Sequence, residues 1–545
     1  MREQTKPNYL KGAAILAATG VLVKIIGAIY KLPLFQDGVL GEQGTGDFQV
    51  TYNVYTLILT ISTAGVPAAL SRLVSSANAR DNIDLVRRFF SVALSAFVLI
   101  GITAMLVMFF FADGLAGIMG NTMASPGIRV LAPAVFFACV ISVYRGYAQG
   151  HENMIPTAVS QIIEVLSKTV FGIAVALWLV SIGRDSHIVS AGAIVGVTIG
   201  LGLCIPVLAW YKRKLDRGHT VNSGAAYDTE DVPNRAGIIL GRIFKVSIPI
   251  TLSASFMALM VVVDNSIVLG RLQSALGFSE AEARVLYGTF ARALSIHNLP
   301  PSLVVPVSIS LIPAIAAALA KKRSGEAAVI MQSSIKLVNL LAMPASAGIM
   351  ILASPILIAL YEDFRQLPAD ILIILGAASL FVCLQFVTTA ILQANGHERV
   401  ALITFPIGAM LRILISYTLA GNPSFGIMAT PIGTLVCFAA ITTLNIVFII
   451  ARIKDRPKFF GIFIRPLLCS LIMAAASFSV YRSLYWLGSS LIGTVRWAVL
   501  LYLAIAILVG ITVYGVLIIV SRTITMEDMK LVPKGEKLAK ILRVR

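Results

Sequence analysis

The sequence predicts an all-α integral membrane protein with 14 transmembrane helices. Three observations support this fold class: the composition, the length of the apolar stretches and the placement of basic residues. Of the 545 residues, 58% are hydrophobic and 13% are charged, with a mean hydropathy of +0.88. Soluble domains are about half apolar and about one-quarter charged. The composition therefore excludes an ordinary soluble enzyme.

Apolar stretches long enough to cross a bilayer follow one another along nearly the whole chain. About 20 residues are needed, because a helix rises about 1.5 Å per residue and the hydrocarbon core is about 30 Å thick. The first stretch is too long for a cleaved signal sequence and contains Lys24 and Lys31, so we expect it to remain as the first span. The predicted spans are 12–33, 48–73, 89–111, 128–149, 157–181, 188–211, 242–270, 287–319, 331–361, 370–394, 400–420, 427–451, 462–487 and 496–520.

Basic residues are concentrated on one side of this predicted topology. Segments joined to the N-terminal face carry 28 Lys and Arg residues, and the opposite face carries six. Because cytoplasmic loops are enriched in Lys and Arg, we expect a multi-pass cell-membrane protein with both termini in the cytoplasm. The excess of positive charge, +18 overall, then reflects topology and not nucleic-acid binding.

The two halves of the chain share an internal repeat. The tripeptide Gly-His-Glu at 150–152 recurs at 396–398, and the same offset of 246 residues carries Pro67 onto Pro313. Six spans per copy give both copies the same orientation, with a site between two lobes. The predicted organisation is an N-terminal lobe at 1–215, a cytoplasmic linker at 216–241, a C-terminal lobe at 242–451, two further spans at 452–520 and a basic cytoplasmic tail at 521–545.

Charged residues inside the predicted spans are the candidate functional residues, because each needs a partner or a watery cavity. Lys24 and Lys31 lie in the first span, Asp264 in the seventh and Arg292 in the eighth. If the lobes face each other, these four residues come into one region with a surplus of positive charge. Lys24, Lys31 and Arg292 are then candidate ligands for a phosphate or diphosphate, beside Asp264. Alternatively, Lys31 and Arg292 extend to the outer interface.

A second candidate group lies on the fifth span. Glu164 and Lys168 are four residues apart on one helical face, so they can pair. We expect a structural ion pair, with a proton or ion relay as the alternative. Arg145, near the cytoplasmic face, is expected to reach that interface.

Proline residues mark positions where spans can bend. His297 precedes Pro300 and Pro301, where the helix should kink or break because proline removes a hydrogen bond. Pro67, Pro300, Pro301 and Pro313 are candidate hinges, and His297 is a candidate cavity residue or a hydrogen-bonding helper.

Several chemistries are not expected. There is no Gly-Lys dipeptide and hence no Walker A phosphate loop, and there is no HExxH motif. The five cysteines all lie within predicted spans, and we interpret them as small apolar residues. Asp37, Glu42 and Asp47 lie in a glycine-rich stretch that we interpret as a turn. We therefore predict no catalytic residues, no metal site and no cofactor.

Several motifs resemble one transporter family. They are YRGYAQG at 144–150, STAGVPAALSR at 62–72 and NLPP at 298–301. The chain resembles the polysaccharide-biosynthesis and stage V sporulation protein B branch of the MOP exporter superfamily, which includes MurJ-type lipid II flippases. The resemblance implies two six-helix lobes plus two C-terminal helices, with a central cationic cavity. It also implies basic residues in span one, which Lys24 and Lys31 match. Arg292 matches the basic position of span eight only loosely.

The expected function is translocation of an undecaprenyl-diphosphate-linked cell-wall precursor, most simply lipid II, from the inner to the outer leaflet by alternating access. The expected partners are this lipid-linked saccharide, membrane lipids and a coupling ion, Na⁺ or H⁺. The alternatives are a spore-cortex or other polysaccharide precursor flippase, a cation-coupled multidrug exporter, and a non-transporting scaffold of a cell-wall complex.

Overall fold

The computed structural model describes residues 6–78, 80, 82–219, 236–320, 323–453, 459–491, 496–521 and 523. Within these ranges the regular structure is helical, with 18 α-helices, short 3₁₀ segments and no strand. Chain contacts divide the protein into two compact units, residues 1–288 and 289–545. Helix α10 runs across this division.

The first unit contains the helices up to the start of α10. They are α1 (Lys6–Leu34), α2 (Gly41–Thr63), α3 (Val66–Asn78), α4 (Ile83–Phe110), α5 (Ala112–Ile118), α6 (Ser125–Gly150), α7 (Ile155–Ser181), α8 (Ser186–His219), α9 (Ala236–Leu276) and α10 (Glu280–His297).

The second unit contains the remaining helices. They are α11 (Leu299–Ala320), α12 (Ser324–Ile351), α13 (Ala353–Tyr361), α14 (Gln366–Ala394), α15 (Ala401–Ala420), α16 (Ala429–Arg452), α17 (Phe459–Leu491) and α18 (Arg496–Val520). Its apolar core is formed mainly by α11, α12, α14, α16 and α17, and a smaller cluster lies between α13, α17 and α18.

Among the described residues, 12 helical segments are long and apolar enough to cross a membrane. Each of the 14 predicted spans coincides with helix, which confirms an all-helical multi-pass protein. The number of spans and the two-lobe repeat stay predictions. Helix α8 continues to His219 and α9 begins at Ala236, so both ends of the predicted linker at 216–241 are helical. The linker and the tail stay predictions, because residues 220–235, 522 and 524–545 lie outside the described residues.

Three predicted spans are interrupted. The span at 48–73 is divided between α2 and α3, the span at 287–319 between α10 and α11, and the span at 331–361 between α12 and α13. At the first break, a Cβ on Gly65 would lie 2.3 Å from the backbone oxygen of Ser247 in α9. The Gly65 N–H donates a hydrogen bond to Thr251 Oγ1 at 3.1 Å, which is not part of the regular hydrogen-bond pattern of a helix. Glycine is therefore required here for close helix contact.

Close backbone contact also fixes α7 against α8. A Cβ on Gly172 would lie 2.5 Å from the backbone oxygen of Ala193, and a Cβ on Gly196 would lie 2.6 Å from the Gly172 nitrogen. Small residues at such positions let membrane helices pack tightly. Tyr30 of α1 joins this contact, because its hydroxyl donates to the Ala193 oxygen at 2.9 Å. The face of α7 that carries Lys168 is thereby held beside α1.

The glycine-rich stretch from Asp37 to Asp47 is predicted as a turn, and this is wrong for most of it. The turn covers 35–40, and α2 begins at Gly41, so Glu42 and Asp47 are helical. The physical reason is packing. A Cβ on Gly46 would lie 2.6 Å from the backbone oxygen of Arg284, so the glycines serve helix contact instead of chain reversal.

Candidate functional site

Three lysines of the first unit lie close together, and we call them the lysine cluster: Lys24 and Lys31 on α1 and Lys168 on α7. Lys24 is exposed, whereas Lys31 and Lys168 are partly buried. Lys31 lies within electrostatic range of both Lys24 and Lys168. The structure thus brings together the two lysines predicted as phosphate ligands and adds a third, which the sequence had placed with Glu164.

Two tyrosine rings surround the Lys168 ammonium. Its Nζ lies 4.5 Å from the centroid of the Tyr52 ring and 5.2 Å from that of Tyr30. It also donates a long hydrogen bond of 3.5 Å to the Tyr52 hydroxyl. Aromatic faces attract a cation through their quadrupole. They position the ammonium without neutralising its charge.

Glu164 does not have the partner that its spacing predicts. Its Oε2 accepts from Arg145 Nη2 of α6 at 3.1 Å, and Arg145 Nε donates to Ser160 Oγ at 2.9 Å. Glu164 is therefore paired with Arg145 and not with Lys168. That Arg145 reaches the cytoplasmic interface stays a prediction. The cause is tertiary packing, since α6 and α7 place a guanidinium with several donors beside the carboxylate.

Asp264 and Arg292 are both deeply buried. Asp264 of α9 is 0% exposed, and Arg292 of α10 is 2% exposed. The Arg292 guanidinium lies over the Tyr361 ring at 5.1 Å, within the second unit. The meeting of Lys24, Lys31, Asp264 and Arg292 in one region stays a prediction, because these residues belong to both units.

A carboxylate lies near Arg292 in the turn before α14. Burial opposes ionisation of Asp363, but hydrogen bonds from the Arg365 side chain and backbone, at 2.6 to 3.1 Å, outweigh it. The pKa of Asp363 is therefore lowered, with a smaller contribution from the positive charge of Arg292. This carboxylate is held mainly by Arg365.

His297 ends α10 and is buried. Its Nδ1 lies 2.7 Å from the Leu375 carbonyl oxygen of α14 and 2.8 Å from Ser379 Oγ, and that hydroxyl donates to the His297 carbonyl at 2.9 Å. The hydroxyl satisfies a carbonyl that the break at Asn298 frees from the helix. These contacts are those of a residue that hydrogen-bonds at the end of a helix, which is the second of the two roles predicted for His297.

The predicted break at Pro300 and Pro301 is confirmed, because α10 ends at His297 and α11 begins at Leu299. Pro67 lies in the first turn of α3, directly after a second break. Helix α11 continues without a break over residue 313. The hinge roles of all four prolines stay predictions.

The sequence interpretation missed a buried ion pair between α2 and α10. Arg284 Nε and Nη2 donate to Asp47 Oδ1 and Oδ2 at 2.7 and 2.5 Å, and Asn121 Nδ2 donates to Oδ1 at 2.9 Å. Beside it, Asn53 Nδ2 donates to the Tyr287 hydroxyl at 3.2 Å. We call these five residues the seam. The glycine-rich start of α2 was the sequence feature that could have indicated this close helix contact.

The seam depends on very close backbone contact. A Cβ on Gly288 would lie 1.8 Å from the carbonyl oxygen of Glu42. The adjoining turn is attached as well, since Thr122 donates to Glu280 and Gln273 donates to the Gly120 carbonyl, each at 2.7 Å. The start of α2 is thus attached to the start of α10, and the turn around Asn121 is attached to the adjacent ends of α9 and α10.

A family model described as polysaccharide biosynthesis protein matches residues 9–319, more than half of the chain. The chain belongs to this family. A second family model, described as MatE, matches residues 287–418. Together the two matches confirm the resemblance to the MOP exporter superfamily.

Curated relatives from Bacillus subtilis (strain 168) cover most of the chain. The chain is 26% identical to "Uncharacterized membrane protein YabM" over 98% of its length and 97% of the relative's. It is 25% identical to "Lipid II flippase MurJ" over 78% of its length and 80% of the relative's. It is 22% identical to "Stage V sporulation protein B" over 97% and 98%, respectively.

Solved structures show the same fold. A structure of "Lipid II flippase MurJ, inward closed conformation" superposes with a TM-score of 0.65 at 16% identity, covering 92% of this chain and 98% of that one. An inward-facing multidrug resistance MATE family transporter of the MOP superfamily superposes with a TM-score of 0.60 at 17% identity, covering 84% and 98%. This polysaccharide biosynthesis family chain is accordingly a MOP-type membrane transporter or flippase and not an enzyme.

Proposed function

We propose that the chain is a flippase that moves an undecaprenyl-diphosphate-linked cell-wall precursor, lipid II, from the cytoplasmic to the outer leaflet. The diphosphate is bound by Lys24, Lys31 and Arg292, while the polyprenyl tail stays in the lipid. The name of a relative, "Lipid II flippase MurJ", supports this choice of substrate. The protein has 14 spans in this proposal, with both termini in the cytoplasm.

The lysine cluster is the single observation that carries the proposal. Within the described parts of the chain, no carboxylate forms an ion pair with Lys24, Lys31 or Lys168. Uncompensated charge within a membrane region is costly, so such residues belong to a substrate pathway. A diphosphate supplies the missing negative charge and several strong acceptor oxygens.

The proposed movement is alternating access, without ATP. In this proposal the seam closes the outer ends of α2 and α10, and the helix breaks at Gly65 and Asn298 provide places to bend. Opening of the seam then exposes the headgroup outside. The membrane potential or a coupled Na⁺ or H⁺ drives the cycle.

The test replaces Lys24 by alanine in a strain depleted of its own lipid II flippase. Wild-type protein should restore growth and exposure of lipid II headgroups on the outer surface, and Lys24→Ala should abolish both. Lys24→Arg keeps the charge and should retain substantial activity. Full rescue by Lys24→Ala at matched expression would rule out the assigned site.

Failure of the wild-type protein to rescue would point to another lipid-linked precursor. A spore-cortex precursor is the specific candidate, because "Stage V sporulation protein B" is a relative over nearly the whole chain. The readout is then headgroup exposure in sporulating cells.

A second candidate is a cation-coupled multidrug exporter, favoured by the MatE match over residues 287–418. Such an exporter needs a carboxylate that exchanges its proton or cation, and Glu164 is the candidate in the first unit. Its ion pair with Arg145 argues against this role, because the carboxylate already has a fixed cationic partner. Increased drug susceptibility after deletion, with unchanged headgroup exposure, would favour the exporter.

A further inference from the structure

We infer that Lys168 is a further ligand of the phosphate groups, beside Lys24, Lys31 and Arg292, that Tyr30 and Tyr52 hold it in place, and that Arg145 keeps it available by binding Glu164. The inference rests on the proposed function and deepens it. It assigns Lys168 to substrate binding instead of ion coupling, and it assigns Arg145 an indirect, positioning role.

The side chains around Lys168 have a fixed geometry. Tyr30 is completely buried and its hydroxyl is bonded to Ala193, so its ring cannot turn away. The Tyr52 ring stacks on Phe48, with a centroid distance of 6.0 Å and an interplanar angle of 4°. The ammonium, 4.5 and 5.2 Å from the centroids of the Tyr52 and Tyr30 rings, therefore lies against two rigid surfaces. A group preorganised in this way loses little conformational freedom when a ligand binds.

Electrostatic repulsion also acts at the lysine cluster. Lys31 lies within electrostatic range of Lys168 and of Lys24, so its positive charge is repelled by each of theirs. The cation–π contacts stabilise the Lys168 ammonium but leave its charge in place. An anion with several oxygens relieves the repulsion among all three lysines at once.

Glu164 lies one helical turn before Lys168 on the same face of α7. At this spacing the two side chains would ordinarily pair. Arg145 prevents this by holding the carboxylate at 3.1 Å, and Ser160 Oγ fixes the guanidinium at 2.9 Å. The arginine therefore leaves the lysine uncompensated and open to a ligand.

The experiment measures binding to the purified full chain in lipid nanodiscs. The probes are farnesyl diphosphate, inorganic pyrophosphate and, as a control without phosphate, farnesol. Comparison of the first two probes distinguishes a lipid-linked diphosphate from the free ion. Lys168→Met should raise the Kd for the diphosphate probes about tenfold or more, as loss of one charge-assisted contact predicts. It should leave farnesol binding unchanged.

Three further variants make the result specific. Lys168→Arg should recover most of the affinity. Lys214→Met is the matched control, because Lys214 lies 5.6 Å from the Trp210 ring at the end of α8 and its removal should change nothing. Arg145→Met should weaken diphosphate binding although Lys168 is present, because Glu164 can then pair with it, and Arg145→Met/Glu164→Gln should restore binding.

The outcomes separate this inference from the proposed function. If wild-type protein does not bind either diphosphate probe, the proposed function fails and this inference fails with it. If Lys24→Ala and Lys31→Ala weaken binding but Lys168→Met does not, only the role of Lys168 is overturned. If Arg145→Met binds as wild type does, the positioning role of Arg145 is wrong. Should Lys168→Met fail to fold, Lys168→Arg and the Arg145 variants still decide the question.

Discussion

Replacement of Asp47 by asparagine should open the seam between α2 and α10. The Asp47 carboxylate accepts two hydrogen bonds from Arg284, at 2.7 and 2.5 Å, and one from Asn121 at 2.9 Å. The two charged side chains are 1% and 8% exposed. Asp47→Asn leaves the guanidinium buried without its counter-charge, which costs about 3 to 5 kcal/mol.

This cost applies only to the conformation in which the seam is closed, because water can solvate Arg284 once the helices separate. A factor of ten in an equilibrium corresponds to about 1.4 kcal/mol. Asp47→Asn should therefore shift the balance from closed towards open by roughly two to three and a half powers of ten. A protein that is almost entirely closed would then populate both conformations.

Spin labels on α2 and α10 can measure this shift. Gln43 and Ala281 are exposed and lie near the start of the two helices, and the five native cysteines are buried, so labelling at introduced cysteines is selective. Double electron–electron resonance should give one short distance in wild-type protein. The Asp47→Asn variant should add a second, longer distance.

Two controls define the interpretation. Asp113→Asn breaks an ion pair with Arg129 whose side chains are 71% and 43% exposed, and such a surface pair should leave the distances unchanged. Asp47→Leu/Arg284→Met removes both charges and should return the single short distance. An unchanged distance distribution in Asp47→Asn, with unchanged transport, would refute a role of the ion pair in closing the seam.

Two further predictions concern helix packing. Gly288→Ala should lower the thermal unfolding temperature markedly, because the added Cβ would lie 1.8 Å from the Glu42 carbonyl oxygen. Gly270→Ala is the control and should be neutral, because a Cβ on Gly270 would have no neighbouring atom within 4 Å. An equal effect of the two substitutions would contradict this assignment. Tyr30→Phe keeps the ring but removes its hydrogen bond to Ala193, so it should cost about 1 to 3 kcal/mol in reversible unfolding, and no loss would show that the bond is unimportant.

The positions of the helices were predictable from the sequence, but the breaks within them were not. Mean hydropathy over about 20 residues identifies an apolar segment whether or not its backbone is continuous. The interruption between α2 and α3 is set by Gly65 and its contact with Ser247 and Thr251 of α9. Those partners lie more than 180 residues away in the chain. Only the break at Pro300 had a clear local signal, since proline lacks a donor.

The candidate site was predictable in composition and only partly in its contacts. Lys24 and Lys31 were identified because a charged residue in an apolar segment is costly unless it has a partner or a watery cavity. The partner of Glu164 was predicted wrongly, because spacing along one helix takes no account of a neighbouring helix, and α6 supplies Arg145. Asp47 was missed because glycine is typical both of turns and of close helix contacts.

The contrast between arginine and lysine in the first unit gives the strongest physical reason for a ligand at the lysine cluster. Asp47 and Glu164 are held by Arg284 and Arg145, whose planar guanidinium groups suit fixed, directional contacts with carboxylates. Lysine presents a compact charge on a flexible stem, which can follow a phosphate group as it moves. Lys212 shows that lysine also pairs with a carboxylate here, since it contacts Asp216 at 2.7 Å near the end of α8. Where the lysines of α1 and α7 meet, the available carboxylate is bound by an arginine instead, so a mobile anion is the partner that the cluster is suited to receive.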